Sequence, residues 1–233
     1  GLFVPARPPG WPSPPAHPST TPLGAPPALA ATSDAYEFLQ TQRGSDPVAW
    51  DPCRPIHYVV GGSGRPRGAD DLLTRALAEG SSATGLVFVA DGVTDERASE
   101  RRPLGSRELY GDRWAPVLIA WESLDENPGL AGDVIGVAEP STVTRLTDGL
   151  TVIVTGQVRL DAAQIGGLLG DPDGYQRAYL TLIHELGHLV GLDHVDDPAQ
   201  VMYPEIEPGL GRFQAGDLTG LARLGTGRCA PDV

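Results

Sequence analysis

The run His184-Glu185-Leu186-Gly187-His188-Leu189-Val190-Gly191-Leu192-Asp193-His194 constrains this chain more than any other stretch. Tyr179, Leu182, Ile183, Leu186, Leu189 and Val190 recur at helical spacing, so a helix is expected from near Asp173 to Val190. On that helix His184 and His188 stand one turn apart on the same face, and both imidazoles can reach one small cation. Glu185 projects toward the same cleft without having to bind the ion. Gly191 ends the helix, because a residue without Cβ can take the left-handed conformation that reverses the chain. After the reversal His194 can return as a third ligand. Three neutral imidazoles with one open position describe a catalytic zinc site, not a closed structural one. Three of the chain's five histidines fall in this run, and a chance string of surface histidines accounts for it poorly.

The rest of the chain divides by composition. Residues 1 to about 31 carry ten prolines among Ala, Ser, Thr and Gly. Such a segment buries too little apolar area to offset its ordering entropy. Residues 1–45 are therefore expected as an extended tail or stalk, and residues 46–233 as one domain. Within the domain, strands are expected at Pro55–Val60, Gly85–Ala90, Pro116–Trp121 and Leu150–Leu160, with an edge strand at Asp133–Ala138. Helices are expected at Ala69–Glu79, stopped by Gly80, and from Gln214 to Leu224. This order predicts an α+β (α/β-like) fold with one twisted mixed sheet and three main helices.

Charge excludes two classes of partner. The formal net charge is −13, and all 17 basic residues are Arg. Nucleic acid and anionic membranes both require clustered basic surface. No apolar run reaches the length of a membrane span. There are two cysteines, Cys53 and Cys229, without the close Cys or His neighbours of a metal knuckle. In an exported protein two such thiols pair, closing a loop of about 175 residues worth on the order of 5 kcal/mol. A secreted or extracellular monomer is expected, tethered or released through a region preceding residue 1.

The pattern His184-Glu185-x-x-His188-x-x-Gly191-x-x-His194 with a downstream Met resembles the metzincin metallopeptidases. Met202 is the chain's single Met, eight residues after His194, and Val201-Met202-Tyr203-Pro204 resembles the matrixin branch. Trp50 to Tyr58 is similar to the opening strand of bacterial matrixin-like domains, and Gly216-Asp217-Leu218 to their closing helix. The resemblance spans about residues 46–230. It implies a turn beneath the ligands built on Met202, one catalytic zinc, and protein or peptide substrates.

It also implies that an extended peptide lies along the edge strand near Val134 and Val137. Tyr203 and Pro204 would line the pocket beyond the scissile bond. The extra histidines that hold a structural zinc in animal matrixins are missing, so no second zinc is expected. Calcium stays open, with Asp125, Glu126, Asp133, Asp161, Asp171 and Asp173 as scattered candidates. Asp196 and Asp197 read as a polar turn more than as partners of a ligand imidazole.

The implied chemistry is hydrolysis of a peptide bond by a metal-activated water, with Glu185 as general base. The competing function is a catalytically silent, metal-stabilised interaction or adhesion module. Glu185 discriminates the two, because binding alone needs no base.

Overall fold

The computed structural model describes residues 11–13, 19–62 and 64–233. A six-stranded mixed sheet forms its frame. The strands are β1 (Glu37–Phe38), β2 (Ala49–Trp50), β3 (Ile56–Gly61), β4 (Phe88–Thr94), β5 (Val117–Glu122), β6 (Gly136–Thr144), β7 (Thr151–Asp161) and β8 (Leu192–Asp193). The helices are α1 (Ala69–Thr84), α2 (Arg107–Tyr110), α3 (Ala162–Gly170), α4 (Tyr175–Val190) and α5 (Ala215–Gly225). β7 pairs parallel with β5, β5 with β3 and β3 with β4, while β2 lies parallel beside the start of β7. β6 alone runs antiparallel, along the other side of β7. That makes it an edge. β1 and β8 pair separately as a two-stranded antiparallel ribbon.

The mixed sheet and the three long helices agree with the sequence expectation; the boundaries differ. α1 continues through the buried Gly80 to Thr84 and stops at Gly85, where φ is 75°. Ala83 and Thr84 are buried, so a further turn of helix covers more core. β6 starts at Gly136 and runs to Thr144, because β7 is long enough to pair with all of it. α3 was not expected. Its start is set by Asp161, whose side chain accepts the backbone N–H groups of Ala163 and Gln164.

α1, α4 and α5 cover one face of the sheet and enclose the main core, which includes Leu72, Trp121, Leu160, Ile183 and Leu221. The sheet reaches α4 through Trp50, whose indole N–H donates to Leu189 O at 3.0 Å. The opposite face is covered by the loop between β4 and β5. Arg102 holds this loop down with all five of its N–H groups. Nε and Nη2 form a two-pronged pair with the Glu96 carboxylate, and the others reach Thr155 Oγ1, Gly156 O and Pro116 O. A disulfide joins Cys53 and Cys229, with Cα atoms 5.4 Å apart, and ties the C-terminal segment to the start of the sheet.

The N-terminal region differs from the expected tail. Residues 1–10 and 14–18 lie outside the described residues. The chain packs on the domain well before residue 46, however: Leu23 N donates to Pro52 O, Ser33 N donates to Thr219 Oγ1, and Tyr36 and Phe38 lie against the main core. Proline content hid a short Tyr-Glu-Phe-Leu run whose two aromatics supply the buried area that ordering requires. The ordered part therefore begins ahead of residue 46.

Candidate metal centre

α4 carries the first two histidines on a buried face that is otherwise mostly apolar, with Thr181 and Glu185 the other polar residues in it. Ala178, Leu182, Ile183, Leu186, Leu189 and Val190 are all buried, and so are His184 and His188 at the cleft face. The helix ends at Gly191, where φ is 123° and the N–H donates back to Gly187 O and His188 O. That reversal directs the chain through β8 to His194.

The three Nε2 atoms converge, each 3.1 Å from the other two. His184 Nδ1 lies 2.7 Å from Val201 O and His188 Nδ1 lies 2.8 Å from Leu192 O. A carbonyl can only accept, so both Nδ1 atoms carry the proton, and both Nε2 lone pairs face the shared point. Lone pairs facing one another repel unless a cation lies between them. A tetrahedral zinc with arms of about 2.0–2.1 Å has ligand-to-ligand edges of about 3.3 Å. The donor set and its spacing fit that ion. Burial, with the neighbouring imidazoles second, holds His184 far down, at about 3. Burial likewise lowers His188. Both rings are thus neutral and able to ligate at neutral pH.

Glu185 lies beside this point against the edge strand. A Cβ at Gly136 would come within 2.8 Å of Glu185 Cγ, so the missing side chain at 136 makes room for the carboxylate. Burial pushes the Glu185 carboxyl up to about 8, against the opposing effect of a backbone hydrogen bond from Ala138. The cleft around these groups measures about 800 Å³. Val134, Val137, Ile206, Pro204 and Leu39 contribute its apolar lining. Of the residues expected at the substrate pocket, Val134, Val137 and Pro204 line this cleft. Tyr203 does not line the cleft; it is half-buried, with its N–H donating to Gln200 O.

Met202 lies under the ligands, 1 % exposed, with its sulfur against Gly187, where an added Cβ would collide with it. Val195 N donates to Met202 O at 3.1 Å, tying the turn to the residue after His194. Sequence reasoning missed the support of this turn. The Asp217 carboxylate on α5 accepts the N–H groups of Val201, Met202 and Gln214. In return Gln200 Oε1 accepts the N–H groups of Gly216 and Asp217. Leu180 and Val201 are buried and pack beneath the site rather than reaching the cleft. Asp197 closes a turn through Ala199 N and Gln200 Nε2, as a polar turn should.

Among the described residues, one other grouping has ligand-like spacing: Asp51, Cys53 and Cys229. Its sulfurs are bonded to each other and its carboxylate is taken by Cys53 N and Arg54. The candidate calcium ligands do not gather. Asp161 caps α3, Glu126 binds Ser123, and Asp171 closes a turn on Asp173.

No curated protein matches the chain. Solved structures with some similarity to the chain include the following two. The GM1-bound form of the ECX AB5 holotoxin is 13% identical over 76% of this chain and 69% of that one, with a TM-score of 0.40. Archaemetzincin from Methanopyrus kandleri is 21% identical over 77% of this chain and 88% of that one, with a TM-score of 0.38. The matrixin family model matches residues 140–224, which run from within β6 through α4 and the Met202 turn to α5. The stretch that holds all three histidines, Glu185, Met202 and Asp217 is therefore similar to the matrixin family of peptidases.

Proposed function

We propose that the chain is a secreted zinc endopeptidase in which His184, His188 and His194 hold one catalytic ion and Glu185 is the general base. The convergence of three Nε2 atoms at 3.1 Å, beside a buried carboxylate in an open cleft, carries this reading. When bound, zinc would polarise the scissile carbonyl and acidify water. Glu185 takes a proton from the attacking water and returns it to the leaving amine. Its burial makes it a stronger base than a carboxylate in water, since desolvation favours the protonated form. Val201 O and Leu192 O keep two imidazoles in the ligating tautomer, and Met202 fills the floor beneath them.

The substrate lies along the unpaired side of β6 as an added strand, against Val134 and Val137, with Pro204 lining the opposite wall. The disulfide supports an oxidising, extracellular setting. No helix among the described residues is long and apolar enough to cross a membrane.

The deciding experiment is cleavage of a denatured protein or peptide library by the zinc-loaded chain and by Glu185→Ala, with and without chelator. Both proteins should bind about one zinc, and only the unsubstituted chain should hydrolyse peptide bonds. Equal cleavage by Glu185→Ala would overturn the assigned base. Tight zinc binding with no hydrolysis by either protein would favour a silent interaction module.

A further inference from the structure

The three ligand rings are not held equally. His184 and His188 each have an Nδ1–H anchored on a backbone carbonyl, whereas among the described residues His194 Nδ1 has no hydrogen-bond partner. The position of the third ring therefore rests on its backbone. On its C-terminal side that backbone is fixed by Val195 N donating to Met202 O. On its N-terminal side it is fixed by the ribbon of β1 with β8. Glu37 stands opposite Asp193, Phe38 opposite Leu192, and Leu39 N donates to Gly191 O at 2.9 Å. Gly191, Leu192 and Asp193, the three residues between the end of α4 and His194, are thus all paired with this segment. Leu192 also supplies the carbonyl that orients His188.

β1 is itself firmly attached. The Arg223 guanidinium lies over the Phe38 ring at 5.0 Å, and its Nη1 donates to Tyr36 Oη at 3.1 Å. The Tyr36 and Phe38 rings are 5.3 Å apart. On the far side, Val48 N donates to Gln40 O, so the segment runs directly into β2 and the sheet. Leu39 then places its side chain in the wall of the cleft.

We infer that the segment Tyr36–Leu39 is a positioning element of the metal centre, setting the backbone of Gly191–Asp193 so that His194 meets the other two ligands. The inference rests on the three-histidine reading of the site. It assigns to a proline-rich N-terminal region a part in metal affinity that composition would assign to the domain alone.

The test uses the full chain with Leu39→Pro, which removes the one N–H that reaches Gly191 O. Leu23→Pro is its matched control. Leu23 N donates to Pro52 O in the same N-terminal region, away from the histidines. Zinc affinity is read by chelator competition, cobalt substitution reports ligand geometry by its visible spectrum, and thermal unfolding of the metal-free proteins reports general damage. Leu39→Pro should weaken zinc binding about 10-fold or more, the scale of losing a group that orients a ligand. It should also alter the cobalt spectrum. Leu23→Pro should change neither, whatever it does to unfolding.

Phe38→Ala keeps the Leu39 N–H but removes the ring under Arg223, and serves if Leu39→Pro does not fold. It should weaken zinc binding several-fold. Zinc affinity within twofold of the unsubstituted chain in Leu39→Pro, or in Phe38→Ala where that variant stands in, overturns the inference. Equal weakening by Leu23→Pro overturns it too. Failure of the unsubstituted chain to bind zinc would instead sink the metal-centre reading beneath it.

Discussion

The sulfur of Met202 occupies the space that a side chain at Gly187 would need. The two are joined across the turn that carries His194, so helix and turn approach as closely as backbone permits. Gly187→Ala forces either the sulfur or α4 to move. Overpacking of this kind costs about 1–3 kcal/mol. Met202→Ala, which empties the floor instead, should cost about 2–5 kcal/mol. Denaturant unfolding of the metal-free proteins measures both. Gly187→Ala should also weaken zinc binding, because it displaces the helix face between His184 and His188.

Acid should act on the histidines and the glutamate in opposite directions. The folded pKa of His184 is depressed to about 3 from an ordinary value near 6.5, chiefly by burial, and His188 is lowered as well. Their contribution to stability is present above pH 6.5. It is lost as pH falls from there toward about 3, since only the unfolded chain takes up those protons. Metal-free protein should therefore destabilise steadily over that window, and zinc should leave over the same window because protonated imidazole does not ligate.

Glu185 is raised to about 8 by burial, so its contribution is full below about 4.5 and is lost as pH rises through about 8. In metal-free Glu185→Gln, stability between about pH 6.5 and 8 should be flatter than in the unsubstituted chain, and below pH 6.5 it should fall more steeply with acid, because the opposing slope of Glu185 is gone. Denaturant midpoints measured across that range decide it; parallel curves would refute the raised value.

Arg102 is nearly buried, and its pairing with Glu96 covers the back of the sheet. Arg102→Ala leaves Glu96 charged with only the Tyr110 hydroxyl donating to it. Breaking one side of a buried pair costs about 3–5 kcal/mol. Arg102→Lys should recover little, because a single ammonium cannot reach Glu96, Thr155, Gly156 O and Pro116 O together. Urea unfolding of both variants tests this, and full rescue by Lys would contradict it.

Reduction of the Cys53–Cys229 bond should free the C-terminal segment from the start of the sheet. The loss expected from its loop length is about 3–5 kcal/mol. Mass measurement with thiol labelling before and after reduction establishes the bond, and thermal unfolding in each state measures its worth.

The convergence of the three histidines was legible because their geometry is local. A four-residue helical step and one glycine reversal fix His184, His188 and His194 with no reference to the rest of the chain. Met202 was legible through its spacing and a family likeness. Asp217 was read only as part of a closing helix, since its partners are backbone N–H groups 15 and 16 residues away. Such partners leave no mark on side-chain pattern.

The ribbon of β1 with β8 was hidden for a different reason. Two-residue strands have no periodicity to detect, and ten prolines upstream dominated the local composition. The Tyr36–Phe38 alternation was the one available signal. Tyr203 was placed in the cleft by the family likeness alone. In the structure the cleft lining takes up again at Pro204, one residue later.

The outer strand carries one more consequence. An edge that is open to a peptide is equally open to a second copy of the same chain, which is the first step of aggregation. Pro140 stands in the middle of β6, opposite Gly156, and has no N–H to offer a newcomer. Glu139 beside it adds charge, and the whole chain repels its copies at −13. Pro140 divides the edge into two short runs, residues 136–139 and 141–144, the second further broken by a register shift after Ser141. The fold thus keeps this open edge in short pieces: enough for the strand addition proposed at the cleft, too broken for two molecules to zip together along it.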